Sequence, residues 1–159
     1  MTLLNRGVCR GFTLVELMLV IIIAGVLAAV AVPRMVDRSA FQVSGFANEV
    51  RTALRYAQRL ALAKNLEVCV TTTALPALTL TFSMTPGLCN QNVIAPDGGA
   101  SYVVVPPAGI NLTATPAAFR FDGQGRPITT PPNTSINFTV SAGGSTTIIP
   151  VVPETGYVQ

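Results

Sequence analysis

Histidine and tryptophan are absent from this 159-residue chain, and charged residues make up only 11% of it. Without histidine, neither a His-ligated metal site nor a Ser-His-Asp triad can be built. Glu16 stands alone in its neighbourhood, with no second acid beside it, which is poor equipment for general acid–base work. A repeat of fixed period is missing, and so is a glycine-rich phosphate loop between a strand and a helix. The one stretch that resembles such a loop, "DGQGRP" at 122–127, lies between strands with no helix N-terminus after it, and it reads as a tight turn. Catalytic residues, cofactors and metals are therefore assigned to none of its positions. An excess of one charge is lacking too. The formal net charge is +3, but Arg6 and Arg10 lie in the first eleven residues, and the remainder holds eight Arg/Lys against seven Asp/Glu. A basic surface for nucleic acid is thus weakly supported.

Apolar residues are what the chain does have, at 50% of the total. Residues 17–32 form a run of sixteen without a charge, and residues 12–32 a run of twenty-one interrupted only by Glu16. That length approaches the roughly 20 residues needed to span a bilayer. Arg6 and Arg10 precede the run, so the positive-inside rule places the N-terminus in the cytoplasm and the rest outside. Three readings compete here. A secretory signal would use "AAVAVP" at 28–33 as its cleavage region, and a plain anchor would use the run alone. Neither explains Glu16, because a carboxylate in hydrocarbon costs about 2.5–3.5 kcal/mol even on lenient insertion scales. The third reading gives Glu16 a partner that offsets this cost.

Beyond the run the periodicity changes. Phe46, Val50, Ala53, Leu54, Ala57 and Ala61 recur at three- and four-residue steps. This spacing predicts an amphipathic helix running to about Lys64 and ending near Asn65. Gly25 and Pro33 mark places where the helix can bend, and residues 38–45, with Ser44 and Gly45, read weakly, so the expectation is one long, bent helix with an interruption at 38–45 as the alternative. A continuous helix from Phe12 to Lys64 would be about 80 Å long. Arg51, Arg55 and Arg59 form a second stripe, read either as a contact strip for an acidic partner or DNA, or as a solvated edge with a packing role. From Leu66 the segments "LEVCVTTT", "LTLTFSM", "YVVV", "AFRFD", "SINFTVS" and "STTIIPVV" are strand-like and separated by Pro, Gly and Asn. The fold class is α+β: a long N-terminal helix, its first half transmembrane, packed on an antiparallel β domain.

The hexapeptide "GFTLVE" at 11–16 resembles the class III signal of type IV pilins and pseudopilins. The resemblance implies cleavage by a prepilin peptidase after Gly11 and methylation of the new N-terminus at Phe12. It also implies an assembly role for Glu16, which would pair with the N-terminal amine of a neighbouring subunit; a paired charge can be retained where an isolated one is expensive. "FANEVRTALRYAQRLALAKN", "FRFDGQGRP" and the closing "TIIPVVPETGYV" resemble the GspH/FimT group of minor pilins and pseudopilins, and the first eighty residues are also similar to minor pilins of mannose-sensitive haemagglutinin-type pili. The implied organisation is a leader at 1–11, a transmembrane and assembly helix at 12–33, its amphipathic second half at 34–65, and a periplasmic β domain at 66–159. The implied partners are prepilin peptidase, other pilins and inner-membrane lipid. Some members of the group bind DNA through a basic C-terminal tail, but this chain ends in Gly156, Tyr157, Val158 and Gln159, which disfavours nucleic acid. Export would permit a Cys69–Cys89 disulfide, with two buried free thiols as the alternative. The expected function is a non-enzymatic structural subunit of a secretion pseudopilus or a type IV pilus. The rivals are a DNA-uptake pilin and an anchored ligand-binding β domain, the latter requiring a deep polar pocket.

Overall fold

The computed structural model describes residues 12–34, 38–72 and 77–159. The chain divides into two compact units, Met1–Asp37 and Arg38–Gln159. The first contains helix α1 (Leu14–Arg34). Residues 35–37, on which the continuity of the two predicted helix halves depends, lie outside the described residues. Among the described residues no helix is long and apolar enough to cross a membrane; in α1 the described side chains end at residue 29.

The second unit opens with helix α2 (Arg38–Lys64). Of the two readings of residues 38–45 the uninterrupted one holds: α2 runs unbroken through Ser44 and Gly45. Packing overrides local propensity at this point, since Val43 and Phe46, on either side of the pair, are both buried. The Ser44 hydroxyl adds a local bond, donating to the Phe41 carbonyl at 3.0 Å. The helix ends as its sequence indicates. Asn65 takes a left-handed conformation (φ 49°), and the Leu66 N–H donates to the Ala61 carbonyl at 3.3 Å, which is the six-to-one bond of a Schellman cap.

Among the described residues nine strands follow α2: β1 (Glu67–Thr71), β2 (Leu78–Ser83), β3 (Gln91–Asn92), β4 (Tyr102–Val104), β5 (Asn111–Thr115), β6 (Ala118–Phe121), β7 (Pro127–Ile128), β8 (Ile136–Ala142) and β9 (Ser145–Val151). They form two antiparallel sheets. The first has the order β3-β2-β1-β6-β7, with β4 also paired to β2; the second has the order β5-β8-β9. Of these strands β3, β5 and β7 were not foreseen. Two are only two residues long, too short for any period to show, and β5 reads Asn-Leu-Thr-Ala-Thr, polar at every other position.

The core lies between α2 and the inner faces of both sheets. Val43, Phe46, Ala47, Val50, Ala53, Leu54, Ala57 and Ala61 of α2 are all buried, and the four alanines let the sheets approach the helix backbone closely. Val68 and Val70 on β1 stand opposite Phe121 and Phe119 on β6. The Phe119 ring meets Phe121 edge-on at 5.1 Å and Phe138 of β8 at 6.1 Å, so an aromatic cluster joins the two sheets. The 122–127 turn forms as expected. Asp122 accepts the N–H groups of Gln124 (2.9 Å) and Arg126 (2.8 Å), and it pairs with the Arg126 guanidinium at 3.1 Å.

Candidate functional site

Gly11 lies outside the described residues. Phe12 is 79% exposed at the start of α1. The Thr13 hydroxyl accepts the Glu16 N–H at 3.2 Å, and the Thr13 carbonyl accepts the Leu17 N–H at 3.1 Å. Thr13 is therefore the N-cap of α1, and Glu16 is its third helical residue. A Thr followed three residues later by Glu is the capping-box spacing, a signal present in "TLVE" that the sequence reading, concerned with the cost of the charge, does not use. A carboxylate at a helix N-terminus gains about 0.3–1 kcal/mol from the helix dipole. That is well short of the roughly 2.5–3.5 kcal/mol its placement in hydrocarbon costs. The cap would offset only part of the cost that placing Glu16 in hydrocarbon would carry.

None of the large apolar side chains described in α1 is buried. Their exposure runs from 51% at Val20 and Ile23 to 73% at Val15. An isolated helix that is apolar all round is not stable in water; it belongs inside a protein assembly or a bilayer.

The arginine stripe of α2 divides. Arg51 donates from Nε to the Gln159 carbonyl at 2.8 Å and from Nη1 to Asn48 Oδ1 at 2.8 Å. Arg55 donates from Nη2 to the Val158 carbonyl at 3.1 Å. Arg59 is exposed and has no hydrogen bond or ion pair among the described residues. Two of the three arginines thus hold the last residues of the chain against α2, which narrows the expected contact strip to Arg59. Gln58 belongs to the same clamp, although the sequence does not single it out: its amide donates to the carbonyls of Gly125 and Thr155, both at 3.0 Å. The clamped segment is tied to β9 by the Val151–Val158 bridge and by the Gln159 N–H to the Pro150 carbonyl at 3.1 Å. Val158 is buried.

Cys69 and Cys89 are joined in a disulfide, with Cα atoms 5.9 Å apart and positions 20 apart in sequence. Cys69 pairs with Thr81 and Arg120 across the sheet, on the face turned away from Val68 and Val70, yet it is buried, because the loop through Cys89 lies over it. Glu67 on β1 secures the same loop, accepting the Gly87 N–H at 2.8 Å, and Arg120 lies 3.7 Å from Glu67. Closing a loop of this size stabilises by about 3 kcal/mol in the chain-entropy account. Reduction, or the pair Cys69→Ser and Cys89→Ser, is expected to lower stability by that amount. Melting temperatures with and without reductant check it; identical values would contradict the contribution.

Two surface depressions among the described residues contain charged side chains. One of about 410 Å³ is lined by Asp122, Arg126, Asn133 and Glu154 among others, but Asp122 is engaged in its own turn. Another, of about 240 Å³, contains Glu49, Asp97 and Tyr102. Tyr102 is stacked on Tyr56 at 5.3 Å between ring centres. Its phenol is pushed above its ordinary value by burial first, then by the negative charge of Glu49. Among the described residues no group of three or more His, Cys, Asp or Glu could hold a metal ion.

Comparison with known proteins places these features. The prokaryotic N-terminal methylation motif matches residues 6–32, and the family described as type II transport protein GspH matches residues 47–152. The type IV narrow pilus major component PilA5 of Thermus thermophilus is 44% identical over 64 residues, covering 38% of this chain and 53% of that protein. The chain thus spans about half the length of that curated relative. Two crystal forms of the type IV minor pilin FimU from Pseudomonas aeruginosa share the fold. One has a TM-score of 0.55 at 17% identity, covering 74% of this chain and 86% of FimU. The other has a TM-score of 0.52 at 16% identity, covering 73% and 90%. With the methylation motif at residues 6–32 and the GspH match across more than half its length, the chain belongs to the family described as type II transport protein GspH.

Proposed function

We propose that the chain is held in the bacterial inner membrane by α1, with its N-terminus cytoplasmic and its β domain periplasmic, and is drawn from there into a filament by packing α1 against other pilin-type subunits. The filament is a type II secretion pseudopilus or a type IV pilus. The observation that carries this reading is the uncovered apolar surface of α1, exposed by half or more at every large side chain described. Lipid covers that surface before assembly and neighbouring helices cover it afterwards. Glu16 then finds the cationic amine that cleavage after Gly11 creates at Phe12 of a neighbour. Prepilin peptidase is the processing partner. The families to which the chain is similar are structural rather than enzymatic, and the engagement of Asp122 in a turn agrees with a structural role. The DNA-uptake alternative is disfavoured, because Arg51 and Arg55 are engaged by the main-chain carbonyls of Gln159 and Val158.

Intact-mass analysis of the protein from a host with and without prepilin peptidase tests the first step. A chain beginning at a methylated Phe12 is expected when the peptidase is present, and the full-length chain when it is absent. A mature chain beginning after Ala31 would show an ordinary secretory signal and overturn the reading.

A further inference from the structure

The first sheet ends in two unlike edges. β7 begins at Pro127, beside Arg126, and proline with a charged neighbour is a usual protection of an edge against a further strand. At β3 that protection is missing, since residues 87–95 carry neither charge nor proline. The Val93 N–H donates to the Leu80 carbonyl at 3.4 Å, directly opposite it in the register that pairs Asn92 with Thr81. Antiparallel bonding alternates from pair to pair, so the main chain of Asn92 points away from β2. Among the described residues it takes part in no hydrogen bond. A depression of about 350 Å³ runs between this edge and α2, lined by Tyr56, Leu60, Lys64, Phe82, Gln91 and Asn92 among others, a size found for ligand sites. Its helix side is fixed, because Tyr56 donates to the Ile94 carbonyl at 3.4 Å and stacks on Tyr102. Lys64, in the last turn of α2, holds its ammonium 5.0 Å from the centre of the Phe82 ring. It makes no ion pair among the described residues.

We infer that the depression between α2 and β3 is a docking site for an extended segment of another protein that carries a carboxylate side chain. Three observations set that chemistry. The main chain of Asn92 offers one N–H and one C=O to an incoming strand, which is how a peptide adds to a sheet edge. Leu60 and Phe82, both partly buried against the core, give an apolar side chain of that strand a surface to cover. Lys64 supplies a positive charge whose counter-charge the described residues do not provide, so an acidic side chain is preferred there over a neutral or basic one. A single lysine is too little charge to hold a nucleic-acid backbone, and a lipid has no main chain to pair with Asn92. The depression lies wholly within the second unit, so peptide docking is independent of the assembly proposed for α1.

The test uses the detergent-solubilised full chain and fluorescent five-residue peptides of alternating threonine and valine, blocked at both ends, with one glutamate walked through the three central positions. Saturable binding with a Kd below about 1 mM is expected for at least one register. The matching glutamine peptide should bind about tenfold more weakly, the effect of losing one charge-assisted contact. Lys64→Gln is expected to keep the parent melting temperature and to bind both peptides equally, at the weaker level. Lys64→Glu should reverse the preference and favour the lysine peptide. Hydrogen exchange at the Asn92 amide should slow when the glutamate peptide is bound, and methylating the peptide's main-chain nitrogens should abolish binding. Failure of every glutamate peptide to bind would overturn the inference, as would equal binding of the glutamate and glutamine peptides to the parent chain. Binding that leaves exchange at Asn92 unchanged would overturn it too, by placing the peptide elsewhere.

Discussion

Glu16→Val is expected to leave the subunit in the membrane, correctly processed, and to reduce its incorporation into the filament by two to three orders of magnitude. The substitution removes a charge from the apolar run, so it does not impede insertion. Cleavage occurs at the cytoplasmic face beside Gly11 and does not need the carboxylate. The loss falls on assembly, where a neighbour's N-terminal amine would lie in a low-dielectric layer without a counter-charge. Removing one member of a buried pair costs about 3–5 kcal/mol, which corresponds to a factor of about 10² to 10³ or more in an equilibrium. The capping geometry supplies a control. Thr13→Val removes the hydroxyl that accepts the Glu16 N–H and costs about 1 kcal/mol, so it should weaken incorporation far less. Equal losses in the two variants would mean that Glu16 acts through the helix cap, and normal incorporation of Glu16→Val would mean that apolar packing of α1 alone drives assembly. Quantifying the subunit in membrane and sheared-filament fractions separates these outcomes.

Gly156→Val is expected to destabilise the second unit by about 2–5 kcal/mol, from a left-handed backbone cost of about 1–2 and an overpacking cost of about 1–3. Gly156 has φ +71°, and a Cβ there would collide with the Gly125 carbonyl, lie 2.8 Å from Gln58 Nε2 and lie 3.0 Å from the Phe121 ring. All three neighbours are held in place: Gln58 by its two carbonyl bonds, Gly125 by the 122–127 turn, and Phe121 by the core. The substitution must therefore displace the C-terminal segment, and with it the carbonyls that Arg51 and Arg55 bind. Gly144→Ala makes the comparison clean. Gly144 has φ +85°, but a Cβ there meets nothing within 4 Å, so only the backbone cost of about 1–2 kcal/mol applies. Denaturant unfolding of the detergent-solubilised chain measures both. Similar losses at the two positions would show that crowding at Gly156 is absorbed.

Much of the fold is legible in the sequence because burial imposes period. The α2 face was readable from Phe46, Val50, Leu54 and their alanine neighbours, since an amphipathic helix must place its apolar residues at such steps. Six strands announced themselves through β-branched and aromatic residues. β5 did not, because an edge strand with one face in solvent alternates Asn and Thr with Leu and Ala, and only Leu112 is buried in it. The continuity of α2 through Ser44 and Gly45 is only weakly marked for a different reason: their helix-breaking tendency is a local property, whereas the packing of Val43 and Phe46 that overrides it is tertiary. At the candidate site the arginine spacing was plain, but its targets were not. Arg51 and Arg55 bind main-chain carbonyls more than a hundred residues away, and backbone acceptors leave no mark in a side-chain pattern. The cysteine pairing was likewise open until the strand and loop positions brought the two Cα atoms within bridging distance.

What covers α1 decides between a filament subunit and a simple anchor. A photoreactive residue in place of Ile22, which is 65% exposed at the middle of the helix, reads this directly in cells that build the filament. Cross-links to the N-terminal helices of other pilin-type subunits are expected in the native sequence background, and they should disappear when Glu16→Val is added. Cross-links to lipid alone in both backgrounds would contradict the account and leave α1 as a simple anchor.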